Sequence, residues 1–321
     1  MGIKIYLENA LADIPRVIFE KYNRMTKRRP SSAPFLSGDT YRSCADFLYD
    51  ETRLCTAEQI NAFSKSNINK ARKHPVVFLK SALYEKFAAE ILPELTIPVV
   101  LLTHQSDTNI TDDAKFKEIA DHKMVIHWFA QNCTLRNDKV TPLPIGLEDL
   151  WRHNAGALAD FRNRHYVNRP KKNEILYGFT LRTNPEKRVA CYLALCKAPH
   201  TQEITGSPCC HVYRKMLSTF KMVASPEGNG LDCHRTWEAM YLGVVPLVES
   251  NEMHEYFASL GLPFIIIDDW KTAAGWTEAE IEEKYNSAIE NANRDPLYIG
   301  YWLEQIECRT GAVDAMQPVK V

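Results

Sequence analysis

The stretch "SPEGNGLDCHRTWEAMYLGVVPLVES", Ser225 to Ser250, places two glycines, an acid, a histidine and an arginine directly before a short amphipathic segment, then closes it with Gly-Val-Val-Pro. With the apolar "KMVA" before it, the spacing predicts a strand, a loop and a helix from about residue 232 to 242. Gly243 follows where a left-handed cap is favoured, and "VVPLVE" reads as a buried strand. Gly228 and Gly230 let the loop backbone pass close to a ligand with its N–H groups free. His234 and Arg235 fall in the first helical turn, where the dipole favours an anion and a guanidinium can grip two phosphate oxygens. With Ser225, Glu227, Asn229 and Asp232, they form a candidate diphosphate site. Glu238, three residues beyond Arg235, brings a carboxylate to the same face, and ribose hydroxyls are the usual partners of such an acid. Singly, each residue is an ordinary cap, turn or surface pair. The functional reading rests on the whole set at this spacing before a buried strand.

Working outward, strand and helix alternate through the second half. "EILYGFTL" (174–181) reads as a strand. "NPEKRVACYLALCKA" (184–198) follows as a helix with Asn184 as cap, Pro185 at its first position and an apolar stripe at Val189, Tyr192, Leu193 and Cys196. "MHEYFASLG", "PFIIID" and "WTEAEIEEKYNSAIENAN" continue the alternation, the last with Thr277 and Glu280 at capping-box spacing. In the first half, "IKIYLE" (3–8), "PVVFLKS" (75–81), "IPVVLLTH" (97–104), "KMVIHWF" (123–129) and "VTPLPIG" (140–146) are expected strands. "TAEQINAFSKSNINKARKH" (56–74) and "LYEKFAAEILPEL" (83–95) are expected helices. The basic stretch at 162–173 lacks periodicity and reads as a linker. The fold class is therefore α/β, with parallel, doubly wound, Rossmann-like halves. The expected boundaries are 1–165, 166–294 and a terminal helix in 295–321 whose face is Leu297, Tyr301, Leu303 and Ile306. Such halves bind ligands in the cleft between them, beyond the carboxyl ends of the strands.

Composition excludes several classes. The 321 residues carry 39 Lys plus Arg against 40 Asp plus Glu, so no net field draws the chain to nucleic acid or an anionic membrane. Nine cysteines without a CxxC pair argue against a zinc ribbon or a secreted disulfide framework, and for a reducing, cytoplasmic setting. No apolar run approaches the roughly 20 residues of a membrane span, and the sequons at Asn109 and Asn132 read as chance matches. No glycine fingerprint follows the first expected strand and no phosphate-binding Gly-Lys-Ser/Thr loop is present, against a dehydrogenase or P-loop enzyme. His104 and Asp107 in "THQSDT" could pair on a metal, but a polar turn is the commoner meaning of that spacing.

Residues 221–250 resemble the core motif of the exostosin-like glycosyltransferases: an apolar strand, Pro-x-Gly-x-Gly, a His-Arg pair, a Glu-Ala pair and Gly-x-Val-Pro. The resemblance extends more weakly to "FTLRTNPEKR", "VTPLPIGLED" and "FLSGDTYR". It implies two facing Rossmann-like domains of the glycosyltransferase B type, with a nucleotide-sugar donor on the second and a glycan acceptor on the first. The membrane anchor and second catalytic domain of animal exostosins are not expected here. The Glu238 to Pro246 spacing also resembles α-1,3-fucosyltransferases, which leaves UDP, the favoured nucleotide, beside GDP. An epimerase or hydrolase of the same plan and a non-catalytic nucleotide-sugar binder remain alternatives. For an inverting transfer, Arg188 and Arg235 are the expected clamps on the leaving diphosphate, with no metal required. Asp39 is the expected base, with Asp107 and Glu148 in reserve.

Overall fold

A computed structural model describes residues 28–63, 72–152 and 158–311, together with Ile18, Lys21, Tyr22, Met25 and Thr26. The strand expected at 3–8 and the centre of the helix expected at 56–74 lie outside the described residues.

The first sheet runs β1 (Phe47–Tyr49), β2 (Val76–Lys80), β3 (Val99–His104), β4 (Val125–Gln131) and β5 (Val140–Leu143) in that spatial order, all parallel. The second comprises β6 (Lys172–Tyr177), β7 (Thr201–Glu203), β8 (Phe220–Ala224), β9 (Val245–Glu249) and β10 (Ile265–Ile267), in the order β10-β9-β8-β6-β7. All its pairs are parallel. The strand order reverses between β6 and β8, so the second sheet is doubly wound and carries a topological switch point there. Among the described residues, the first sheet has no such reversal.

Parallel strands covered on both faces need apolar side chains on both, and these have them. Val77, Leu79, Val99 and Leu101 face a core shared with helices Ala57–Asn61, Tyr84–Glu90 and Ala114–Asp121. Their neighbours Val76, Phe78, Val100 and Leu102 face the opposite way, into a central core that also holds Leu176 and Val223 of the second sheet. The outer face of the second sheet, with Ile175, Met222 and Val245, packs on helices Pro185–Leu195, Trp270–Ala274 and Glu278–Glu290. One core thus joins the two sheets.

Residues 162–173 differ from the expected linker. Helices Ala159–Arg162 and Arg164–Asn168 occupy half of it and β6 begins at its end, Asn163 caps the second helix, and Tyr166 is buried. A single buried ring anchors this stretch, too little to make a periodic pattern. The turn Asp295–Leu297 adds Leu297, and helix Ile299–Arg309 adds Ile299, Trp302 and Ile306, to the central core, so the helix's buried face is centred on Trp302, with Tyr301 and Leu303 on its flanks. Arg72 ties it to the first domain, with Nε 3.0 Å from the Glu307 carboxylate and Nη1 2.8 Å from Asp46.

Candidate functional site

The carboxyl ends of both sheets open onto one cavity of about 490 Å³, within the size range of small-molecule sites. Its first wall is built from the residues after β3 (Gln105, Ser106, Asp107), from Gln131 at the end of β4, and from Ile145, Leu147, Glu148, Asp149 and Arg152 after β5. Its second wall is Thr183, Arg188 and the loop after β8 from Gly228 to Arg235, Leu231 excepted. That loop leaves the sheet beside the switch point, where open α/β sheets bind ligands.

The two arginines are held by main-chain carbonyls. Arg188 donates from Nε to Glu227 O at 2.9 Å and from Nη1 to Thr180 O at 3.1 Å; Arg235 donates from Nη2 to Gly178 O at 2.8 Å. Their guanidinium carbons lie 5.8 and 5.5 Å from the centre of the same Phe179 ring. Burial first, and the Arg235 charge as well, work against the charge on Arg188. Two partly desolvated like charges fixed by neutral groups form an anion-binding geometry.

His234 donates from Nδ1 to Gly146 O, 2.8 Å away, and its Nε2 lies 3.6 Å from Glu148. Burial lowers its proton affinity, but Glu148 and then the Gly146 carbonyl outweigh that and hold it above the usual histidine value. Gly146 has φ +67°, and an added Cβ would fall 2.3 Å from Leu36 O, so only glycine fits here.

The expected residues divide. Arg188, Gly228, Asn229, Gly230, Asp232, His234, Arg235, Asp107 and Glu148 line the cavity; Asp39, Ser225, Glu227 and Glu238 do not. Ser225 Oγ is 2.8 Å from Thr236 Oγ1, joining the β8 loop to the helix it leads into. Glu227 accepts from Asn251 Nδ2 at 3.0 Å. Asp232 accepts Ile145 N–H and Trp237 Nε1–H, each at 2.8 Å, so its carboxylate braces the two domains; burial pushes it up to about 6. Helix His234–Tyr241 is flanked by Cys233 without a side-chain cap. Asn229 donates to Asp107 Oδ2 at 3.1 Å across the cleft. His104 is fully engaged, with Nδ1 accepting Gln105 N–H at 2.8 Å and Nε2 at Pro144 O, 3.1 Å, and burial pushes it down to about 3. Among the described residues, no group of three or more His, Cys, Asp or Glu could hold a metal ion.

Asp39 sits in the first turn of helix Gly38–Ser43, which Ser37 caps. Its carboxylate is buried against Arg29 Nε at 2.8 Å and Gln105 Nε2 at 3.0 Å, set back from the cavity surface. Asp149, in the quoted "PIGLED" segment, is the acid that reaches the cavity beside it. Sequence reading also passed over Gln105 and Asn132. Each follows the last residue of a strand and has a positive φ, 64° and 52°. Non-glycine residues rarely adopt that conformation, and it clusters at functional sites. Asn132 was readable only as part of a sequon. Its fully buried amide instead accepts Asp232 N–H at 3.0 Å and donates to Ser106 O at 3.2 Å.

Glu238 is engaged by an arginine behind the cavity wall. Its Oε1 accepts from Arg214 Nη2 at 2.7 Å and Nε at 3.1 Å, and Arg214 is fully buried over the Phe161 ring. Glu238→Ala removes the nearer carboxylate from a buried guanidinium. It is expected to lower stability in urea by about 3 kcal/mol and to leave nucleotide affinity unchanged. Unchanged stability with tenfold weaker nucleotide binding would return Glu238 to the ribose role.

No protein-family model and no curated protein matches the chain. No helix among the described residues is long and apolar enough to cross a membrane.

Proposed function

We propose that the chain is an inverting glycosyltransferase of the B type, moving a sugar from a nucleoside diphosphate, UDP before GDP, onto a glycan hydroxyl. The observation that carries this reading is the opposition of charges across one cleft. Arg188 and Arg235 stand with the glycine loop on the second-domain wall, and Glu148 and Asp149 stand on the first-domain wall. A displacement that inverts the anomeric carbon needs that division, with cations on the departing diphosphate and a carboxylate on the opposite side for the incoming hydroxyl. The resemblance of residues 221–250 to exostosin-like enzymes supports the same assignment. In this reading the arginines and the helix start supply the charge stabilisation, so activity persists in EDTA.

The test is a screen of UDP- and GDP-sugars for thermal stabilisation, followed by nucleotide release with and without a panel of short glycans. A donor at a hundred times its Kd adds about 2.7 kcal/mol to the native state, which is several degrees of melting temperature at this size. Release that requires acceptor is the expected result. Release without acceptor identifies a hydrolase, binding without turnover a carrier, and no stabilisation by any donor overturns the proposal.

A further inference from the structure

Four carboxylates and three cations crowd behind the first-domain wall. Arg42 lies 2.6 Å from Asp50, and Lys80 lies 3.1 Å from Glu51. Arg29 is spread over Asp39 (2.8 Å), Glu51 (3.2 Å), Asp50 (3.7 Å) and Asp149 (4.0 Å). Asp50 and Glu51 stay below the usual carboxylate range despite burial, Asp50 through Thr52 and Arg42, Glu51 through its own backbone N–H and Lys80. The surplus negative charge therefore falls on Asp39 and Asp149.

Those two are held together. Gln105 Nε2 donates to both, at 3.0 Å to Asp39 Oδ1 and 2.8 Å to Asp149 Oδ2, which puts these oxygens within about 6 Å of each other. The Asp39 backbone N–H also donates to Asp149 Oδ1 at 2.7 Å. Two carboxylates this close, out of water and sharing one guanidinium, make each other harder to ionise. Asp149 faces the cavity, whereas Asp39 is 1% exposed and lies behind it.

Resting on the transfer reading above, we infer that Asp149 takes the proton of the acceptor hydroxyl, and that Asp39 is a positioning residue whose charge behind it makes Asp149 the stronger base. The acceptor oxygen bonds to the anomeric carbon as the bond from that carbon to the diphosphate oxygen breaks. The bonding pair leaves with the diphosphate, and the hydroxyl proton passes to the Asp149 carboxylate. Burial first, then Asp39, raise the proton affinity of Asp149; Glu148 adds to this, while the Asp39 backbone N–H and Arg29 oppose it. His234 faces Asp149 from the second domain, Arg42 acts on Asp39, and Arg152 lines the same wall.

The experiment pairs kinetics with a direct titration, using the full chain and the donor and glycan selected by the screen. Asp149→Asn should keep donor affinity and lose about 100-fold or more in acceptor-dependent turnover. Asp39→Asn should lower the high-pH turnover only a few-fold, as the base weakens, and move the acidic limb of the rate profile down by about one pH unit. Carboxyl carbon NMR should place the wild-type Asp149 titration above the ordinary carboxylate range, moving down in Asp39→Asn. Asp149→Asn turnover within tenfold of wild type, or an Asp149 titration that is ordinary or unmoved in Asp39→Asn, overturns the inference. Wild-type protein that releases no nucleotide with any glycan fails the transfer reading instead, and the carboxyl titration still decides the pair.

Discussion

Replacing Arg188 by Ala is expected to lower turnover by about 100- to 1,000-fold, the cost of removing one preorganised donor from a developing negative charge, with little change in the urea midpoint. The side chain is half-buried, and its partners Glu227 O and Thr180 O sit in loops that water can reach once it is gone. Removing it also relieves the repulsion from Arg235, which offsets part of the lost bonding. The guanidinium closely abuts Gly228, where an added Cβ would meet Nη2 at 2.9 Å, so its position is set by the loop as well as by its own helix. Arg188→Lys keeps the charge but cannot donate to two carbonyls in one plane, and should fall between the two. Rate and donor affinity both normal in a folded Ala variant would remove Arg188 from the site.

Truncation after Arg294 should abolish the folded state of both halves. Leu297, Ile299, Trp302 and Ile306 are buried in the central core, and each contributes about 1.5–3 kcal/mol, a sum comparable to the whole stability of an ordinary domain. Polar ties go with them. The Tyr241 hydroxyl accepts Leu36 N–H at 3.1 Å and donates to Leu297 O at 2.5 Å, so one group links the first domain, the second and the returning helix. Lys73 and His74 N–H both donate to Thr310 O, at 3.1 and 3.0 Å. The milder Trp302→Ala should cost about 3–5 kcal/mol and lower the melting of both sheets together, read by amide exchange. A truncated protein with unchanged melting would show that the helix is an appendage.

Much of the scaffold was legible because buried parallel strands must be apolar on both faces. Residues 75–81, 97–104 and 221–224 announce themselves, as does the capping box at Thr277 and Glu280, which forms. Short elements escaped. Strand Phe47–Tyr49 and helix Trp270–Ala274 are too brief for a period to emerge. The stripe read along 184–198 was misplaced, since Cys191 and Leu195 are buried whereas Leu193 is exposed; cysteine and alanine there blur the apolar face. At the site, the glycine loop and Arg235 were readable because they are contiguous in the chain, and Arg188 because it follows a cap and proline that mark a helix start. The Asp39–Gln105–Asp149 group was not, because its members are 44 to 110 residues apart and meet only when the start of helix Gly38–Ser43 converges with the segments after β3 and β5. The Arg214 partner of Glu238 was not legible either, because helical spacing tells which face a residue occupies and not which neighbour will claim it.

Gln105 and Asn132 impose one more condition on the chain. An added Cβ on Gly38 would meet Gln105 Cγ at 2.4 Å, and one on Gly230 would meet Asn132 Nδ2 at 2.4 Å. Neither glycine has a positive φ; both are bare because an amide from a left-handed residue fills the space a side chain would take. Each glycine and its amide therefore form a unit of inheritance in which the order of change matters. A side chain at Gly38 or Gly230 becomes tolerable after the amide opposite is shortened and is harmful before, so drift at these four positions must proceed in pairs.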